Sequence, residues 1–155
     1  MDSLEGKKAP AFTLEGSDGK KHSIKDYTGR KVVIYFYPRD NTPGCTKESC
    51  GFRDLNSTIE DLNTVVLGVS KDSLKSHDKF ISDFNLPFVL LSDPDTTMMK
   101  KYGAFGEKVL YGKTSLGTIR STVIVDEKGK IIKHWRKVPK AEAHPQKVLE
   151  FLRNL

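Results

Sequence analysis

A chain of 155 residues, 37% hydrophobic and 30% charged, is long enough to bury a core and too apolar for a disordered segment, so one α/β domain over residues 1–155 is expected. No apolar run reaches the length of a membrane span, and Met1 to Pro10 lacks the apolar stretch of a secretory signal, which points to a cytoplasmic protein with no membrane partner. The net charge of +6 sits on scattered pairs such as Lys7-Lys8, Lys20-Lys21 and Lys100-Lys101 and thickens between Lys128 and Lys140; no nucleic-acid module accompanies it, so it reads as a solvated basic surface without a specific nucleic-acid partner.

Phe12-Thr13-Leu14 and His22-Ser23-Ile24 alternate around Gly16-Ser17-Asp18-Gly19 and predict an N-terminal hairpin, followed by a turn at Asp26-Tyr27-Thr28-Gly29. Lys31 to Tyr37 is a short, continuous apolar run rich in β-branched residues, the pattern of a central strand covered on both faces. Thr42 can cap a helix whose first position suits Pro43, and Phe52, Leu55, Ile59 and Leu62 keep helical spacing to about Asn63. Thr64 to Ser70 predicts a second buried strand. Asp72 or Ser73 then caps a helix carrying Leu74, His77, Phe80, Ile81 and Phe84.

Phe88 to Leu91 predicts a third strand, and Thr96 to Tyr102 a short helix closed by Gly103. Gly106 to Gly117 is glycine-rich and reads as an irregular loop with at most a weak strand. Ser121–Val125 and Lys130–Trp135 flank Asp126-Glu127-Lys128-Gly129, a strong hairpin signal. Pro145 opens a last helix with Val148, Leu149, Leu152 and Leu155 on one face. Strand-helix-strand-helix followed by a hairpin and a helix implies a mixed sheet flanked by helices.

Both cysteines fall where the first long strand gives way to its helix. A thiol reacts as its thiolate. Three features favour negative charge at Cys45: the unpaired N–H groups and dipole of a helix start, the Thr42 hydroxyl three residues earlier, and a basic side chain approaching from elsewhere in the sheet. In a regular helix, five residues give about 7.5 Å of rise and about 140° of rotation. The Cα atoms of Cys45 and Cys50 are then roughly 8 to 9 Å apart, beyond disulfide reach. They can bridge only if the first turns unwind. Two readings of Cys50 stay open: a resolving thiol, or a core residue with Cys45 resolved by an outside thiol. His22, His77, His134 and His144 show no metal-ligand spacing with one another or with the cysteines.

Pro38-x-x-x-Thr42-x-x-Cys45 resembles the active-site motif of peroxiredoxins. The run Tyr35-Phe36-Tyr37-Pro38, Thr42-Pro43-Gly44-Cys45-Thr46 and Cys50 resembles the bacterioferritin-comigratory-protein, or Q-type, subfamily. Leu91-Ser92-Asp93, Phe105 to Lys108 and Gly117 to Asp126 extend the resemblance over nearly the whole chain.

The resemblance implies a thioredoxin-like fold and a thiol-dependent peroxidase acting on hydrogen peroxide and organic hydroperoxides. By position, Cys45 is the peroxidatic cysteine and Cys50 the resolving one. Thr42 hydrogen-bonds the thiolate or the peroxide, Pro38 shields the pocket, and Arg120 stabilises the thiolate and orients the peroxide. Outside the resemblance, two readings of Glu48 stay open: simply a helix charge, or a group that helps orient Arg120. No metal, flavin or haem is implied, and a thioredoxin or similar dithiol is the expected reductant of a monomer or weak homodimer. Two rivals remain at this level. A thioredoxin-type disulfide oxidoreductase usually separates its cysteines by two residues, where this chain has four. A redox-sensing or holdase chaperone would use the same pair as a switch.

Overall fold

The computed structural model describes residues 3–155. Its centre is a mixed sheet of five strands flanked by helices, in the spatial order Val89–Ser92, Thr64–Ser70, Lys31–Phe36, Ser121–Val125 and Ile131–Trp135. The elements run β1 (Thr13–Glu15), β2 (Lys21–Ser23), a 3₁₀ turn (Ile24–Tyr27), β3 (Lys31–Phe36), α1 (Pro43–Asp61), β4 (Thr64–Ser70), α2 (Leu74–Phe84), β5 (Val89–Ser92) and α3 (Thr97–Lys101). A separate ribbon follows, βa (Phe105–Leu110) and βb (Lys113–Thr118), then β7 (Ser121–Val125), β8 (Ile131–Trp135) and α4 (His144–Arg153).

β3 is the axis of the sheet. It pairs parallel with β4 and antiparallel with β7, so Val32 to Phe36 are buried on both faces, as a continuous β-branched and aromatic run requires. Alternation sorts its side chains. Val32, Ile34 and Phe36 pack with Leu67, Val69, Met98, Met99 and Tyr102 on the α3 and N-terminal side. Val33, Tyr35 and Tyr37 pack with Phe52, Ile59, Phe80, Val148 and Leu152 on the side of α1, α2 and α4.

The N-terminal hairpin pairs Leu14 with His22 and is pinned to β5 through Ser17 N–H to the Leu90 carbonyl at 2.9 Å. α2 is capped by Ser73, whose hydroxyl accepts from Ser76 N–H at 3.2 Å, which decides between the two candidate caps. The β7–β8 hairpin forms with an irregularity between Ile124 and Val125.

Three local expectations are corrected. Residues 106–117 are not an irregular loop but an antiparallel ribbon, in register from Phe105 opposite Thr118 to Leu110 opposite Lys113. Its turn is Tyr111-Gly112, with φ of 53° and 76°, the left-handed pair of a type I′ turn. Ile24 leaves β2 and starts the 3₁₀ turn, where Ser23 and Asp26 form a capping box. Thr42 is the N-cap of α1, as expected, but its hydroxyl makes no bond to the helix and donates to the Arg39 carbonyl at 2.8 Å. Leu155 lies beyond α4 and is 64% exposed, so it is not part of that helix's buried face.

Candidate active site

The site lies at the C-terminal edge of β3, where Pro38 stops the strand and the chain turns through Asn41, at φ 61°, into α1. Pro43 starts the helix without wasting an N–H donor, and this places Cys45 in the first turn. Cys45 is 1% exposed, and both cysteines are free thiols, Cys50 being half-buried one and a half turns along the same helix.

Arg120 arrives from the other direction, in the link between βb and β7, with its carbonyl accepting from Val138 N–H at 2.9 Å. Its Nη2 donates to Cys45 Sγ at 3.3 Å, and its Nη1 donates to Glu48 Oε1 at 2.6 Å. One planar fork therefore holds two groups of the same helix, a geometry a lysine cannot reproduce. Gly44 makes room for it: a Cβ there would lie 3.3 Å from Arg120 Nη2.

Glu48 is fully buried, and its Oε2 has no hydrogen-bond partner among the described residues. Burial pushes its carboxyl up to about 7, although the Arg120 charge pulls the other way. Burial alone would lower the Arg120 guanidinium, but Glu48 and Cys45 outweigh it and the group is raised. The arrangement is one permanent cation between a buried sulfur and a buried carboxyl group.

Of the residues singled out in the sequence, Cys45, Arg120 and Glu48 meet directly. Thr42 is half-buried one turn before Cys45, with its hydroxyl proton on Arg39 and its oxygen still able to accept. Pro38 is half-buried at the strand end, and Arg39 is exposed. Trp135 packs edge-on against His144 and Phe151, with ring centroids 5.0 Å and 5.9 Å away.

Sequence reasoning missed what lies beneath the 38–42 loop. Asp40, 6% exposed, accepts from Tyr37 Oη at 2.6 Å and Ser76 Oγ at 2.8 Å and pairs with His77 Nδ1 at 2.7 Å. The signal available was His77 itself, a polar residue on the apolar stripe of α2, which needs a buried partner.

Comparison with known proteins bears on the family and the fold. A profile described as the AhpC/TSA family matches residues 5–134. A Helicobacter pylori (strain J99) relative whose name carries "peroxiredoxin bcp" is 50% identical over 153 residues, covering 98% of this chain and 100% of that protein. Peroxiredoxin Bcp of Bacillus subtilis is 41% identical over 150 residues, covering 97% and 95%. Among solved structures, a cysteine-to-serine variant of Xylella fastidiosa PrxQ superposes with a TM-score of 0.92 at 35% identity, covering 99% of this chain and 98% of that one. Xanthomonas campestris peroxiredoxin Q does so with a TM-score of 0.87 at 38% identity, covering 92% and 90%. The sheet built on β3, the thiol at the start of α1 and these likenesses together place the chain in the AhpC/TSA family, as a thioredoxin-fold peroxiredoxin of the Bcp or Q type, a thiol-dependent peroxidase.

Proposed function

We propose that Cys45 is the peroxidatic thiol and Cys50 its resolving partner in a cycle that reduces hydrogen peroxide and organic hydroperoxides. The observation that carries this reading is the Arg120 Nη2 donor 3.3 Å from Cys45 Sγ in the first turn of α1. A cation and a helix N-terminus, both complementary to negative charge, converge on one buried sulfur. The Cys45 sulfur attacks one peroxide oxygen, forming an S–O bond as the O–O bond breaks. The departing oxygen takes a proton and leaves as water or an alcohol. Arg120 faces the charge that develops on the oxygens, and the Thr42 hydroxyl, whose proton is on the Arg39 carbonyl, accepts from the peroxide O–H through a free lone pair. Pro38 closes the loop side of the pocket.

Because the two thiols share one helix, the first turns of α1 unwind before Cys50 attacks the Cys45 sulfenic acid. That step forms the disulfide and releases water. A dithiol protein such as thioredoxin returns two electrons by exchange. The alkyl peroxide reduction activity described for the Xanthomonas campestris bacterioferritin comigratory protein supports organic hydroperoxides as substrates.

The test is peroxide consumption with a thioredoxin system, comparing the parent with Cys45→Ser and Cys50→Ser. The cycle predicts no reaction from Cys45→Ser, and a single turnover but no sustained consumption from Cys50→Ser. Normal turnover by Cys50→Ser would assign resolution to an outside thiol. Negligible consumption by the parent would move the cysteine pair to a sensing or chaperone role.

A further inference from the structure

Outside the reacting groups, the densest set of buried polar side chains lies under the loop that precedes Cys45. Asp40 is its hub. Oδ1 accepts from Tyr37 Oη at 2.6 Å; Oδ2 accepts from Ser76 Oγ at 2.8 Å and faces His77 Nδ1 at 2.7 Å. The Asp40 N–H donates to Asp72 Oδ2 at 2.8 Å, and Asp72 is itself held by Ser70 Oγ at 2.6 Å. His77, fully buried, faces the Leu91 carbonyl with Nε2 at 2.9 Å, so that nitrogen carries a proton. Five segments therefore meet in one network around Asp40 and His77: the end of β3, the loop, the end of β4, the start of α2 and the end of β5.

Burying a carboxyl group and an imidazole together gains little stability over an apolar pair of the same size, but it fixes geometry. What is fixed here is the wall of the peroxide site. Asp40 lies two residues before Thr42 and five before Cys45, and Thr42 is tied back to the same loop through the Arg39 carbonyl at 2.8 Å. A second route reaches the helix. Tyr37 stacks on Tyr35 at 5.4 Å, and Tyr35 Oη bonds Ser49 Oγ at 2.8 Å, between Glu48 and Cys50. The loop and the first turns of α1 are thus registered against one buried anchor, Asp40, whose hydrogen bonds go to neither sulfur nor Arg120.

We propose that Asp40, held by His77, Tyr37 and Ser76, is a positioning residue for the peroxide step: it sets Pro38 to Thr42 against Cys45 and has no part in closing the disulfide. The inference rests on the two-cysteine cycle proposed above. Asp40→Asn can keep the network, since its amide can donate to Ser76 Oγ and to an unprotonated His77 Nδ1 while its carbonyl accepts from Tyr37. Asp40→Ala removes every side-chain bond. The contrast separates position from charge.

The experiment is rapid-quench mass spectrometry with hydrogen peroxide, resolving Cys45 sulfenic acid formation from closure of the Cys45–Cys50 disulfide. Asp40→Ala is expected to lower the second-order rate constant of the first step by about 10- to 100-fold, the range for misplacement of a reacting group by about an ångström. Asp40→Asn stays within about threefold of the parent, and closure stays within about threefold in both variants. Tyr37→Phe, which removes one of the donors and leaves the ring, slows the first step by a smaller factor and serves if Asp40→Ala does not fold. Val125→Ala, in the core on the opposite face of the sheet, controls for general loosening and leaves the first step unchanged.

An Asp40→Ala or Tyr37→Phe first step at the parent rate overturns the proposal. So does an Asp40→Asn loss as large as that of Asp40→Ala, or equal slowing of both steps. If the parent forms a sulfenic acid but no Cys45–Cys50 disulfide, the resolving role fails while the first-step comparison still decides the positioning role. If the parent forms no sulfenic acid, both readings fall together.

Discussion

At the scale of single residues, the site depends on a guanidinium that serves a sulfur and a carboxyl group at once. Arg120→Lys keeps the charge but offers a point donor in place of a fork. It can satisfy Glu48 or approach Cys45, and the desolvated carboxyl group is the stronger competitor. The rate constant for oxidation of Cys45 is expected to fall by about 100-fold, read by competition kinetics against a second peroxide scavenger. A lysine variant at the parent rate would show that charge alone suffices. The sequence placed Arg120 only through its resemblance to a known motif; alone, it looks like a surface charge at a strand edge. Cys45 was legible without help, because a strand-ending proline, a threonine and a helix-opening proline frame it within eight residues.

At the scale of elements, α1 and α4 approach closely where the reactive segment ends. A Cβ on Gly51 would lie 2.7 Å from Pro145 Cγ, too close for any real contact. Gly51→Ala should gain the helix preference of alanine, about 1 kcal/mol, and lose more through forced separation of the helices. A net loss on the order of 1–2 kcal/mol is expected, seen as a lower Tm in thermal unfolding. A raised Tm would mean that α4 yields freely.

The ribbon of βa and βb calls for the opposite change. Tyr111 holds a left-handed conformation that a bulky side chain disfavours, whereas Asn-Gly is the preferred pair for such a turn. Tyr111→Asn should stabilise the ribbon by up to about 1 kcal/mol, visible as slower amide exchange across residues 105–118. This ribbon was read as a loop because its turn is Tyr-Gly and its strands carry two more glycines, Gly106 and Gly117, and only scattered apolar residues. Nothing in that pattern is periodic, and cross-strand pairing supplies the order that local preference does not.

At the scale of the whole molecule, two buried groups pull stability in opposite directions with pH. Glu48 is raised to about 7 from 4.5, so the folded state holds a proton that the unfolded state has lost between those values. Its contribution is complete below about 4.5 and fades as pH rises through about 7. His144 packs edge-on to Trp135 and Phe52, with its Nε2 2.8 Å from Thr122 Oγ1, and burial lowers it from 6.5 to about 4, with Lys147 and Arg120 adding repulsion. Its contribution is complete above about 6.5 and is lost as pH falls through about 4. Each is worth on the order of 3 kcal/mol, and in the shared window the slopes oppose. Glu48→Gln should therefore leave a protein whose stability rises from pH 5 to pH 7, and His144→Gln one whose stability falls over that range. Denaturant midpoints across pH check both, and parallel pH profiles for parent and variants would show that neither group titrates as placed. What the sequence determined by itself is what local rules and apolar periodicity carry: the central strand, the helix that starts at Pro43, the hairpin of β7 and β8, and a thiol in the first turn. What only the tertiary structure decided is which distant groups meet. Arg120 reaches Cys45 across 75 positions and His77 reaches Asp40 across 37, and no local preference records such pairs. They form because the C-terminal ends of β3, β4 and β5 and the N-terminal end of the antiparallel β7 share one edge of the sheet, and buried polar groups must find partners there.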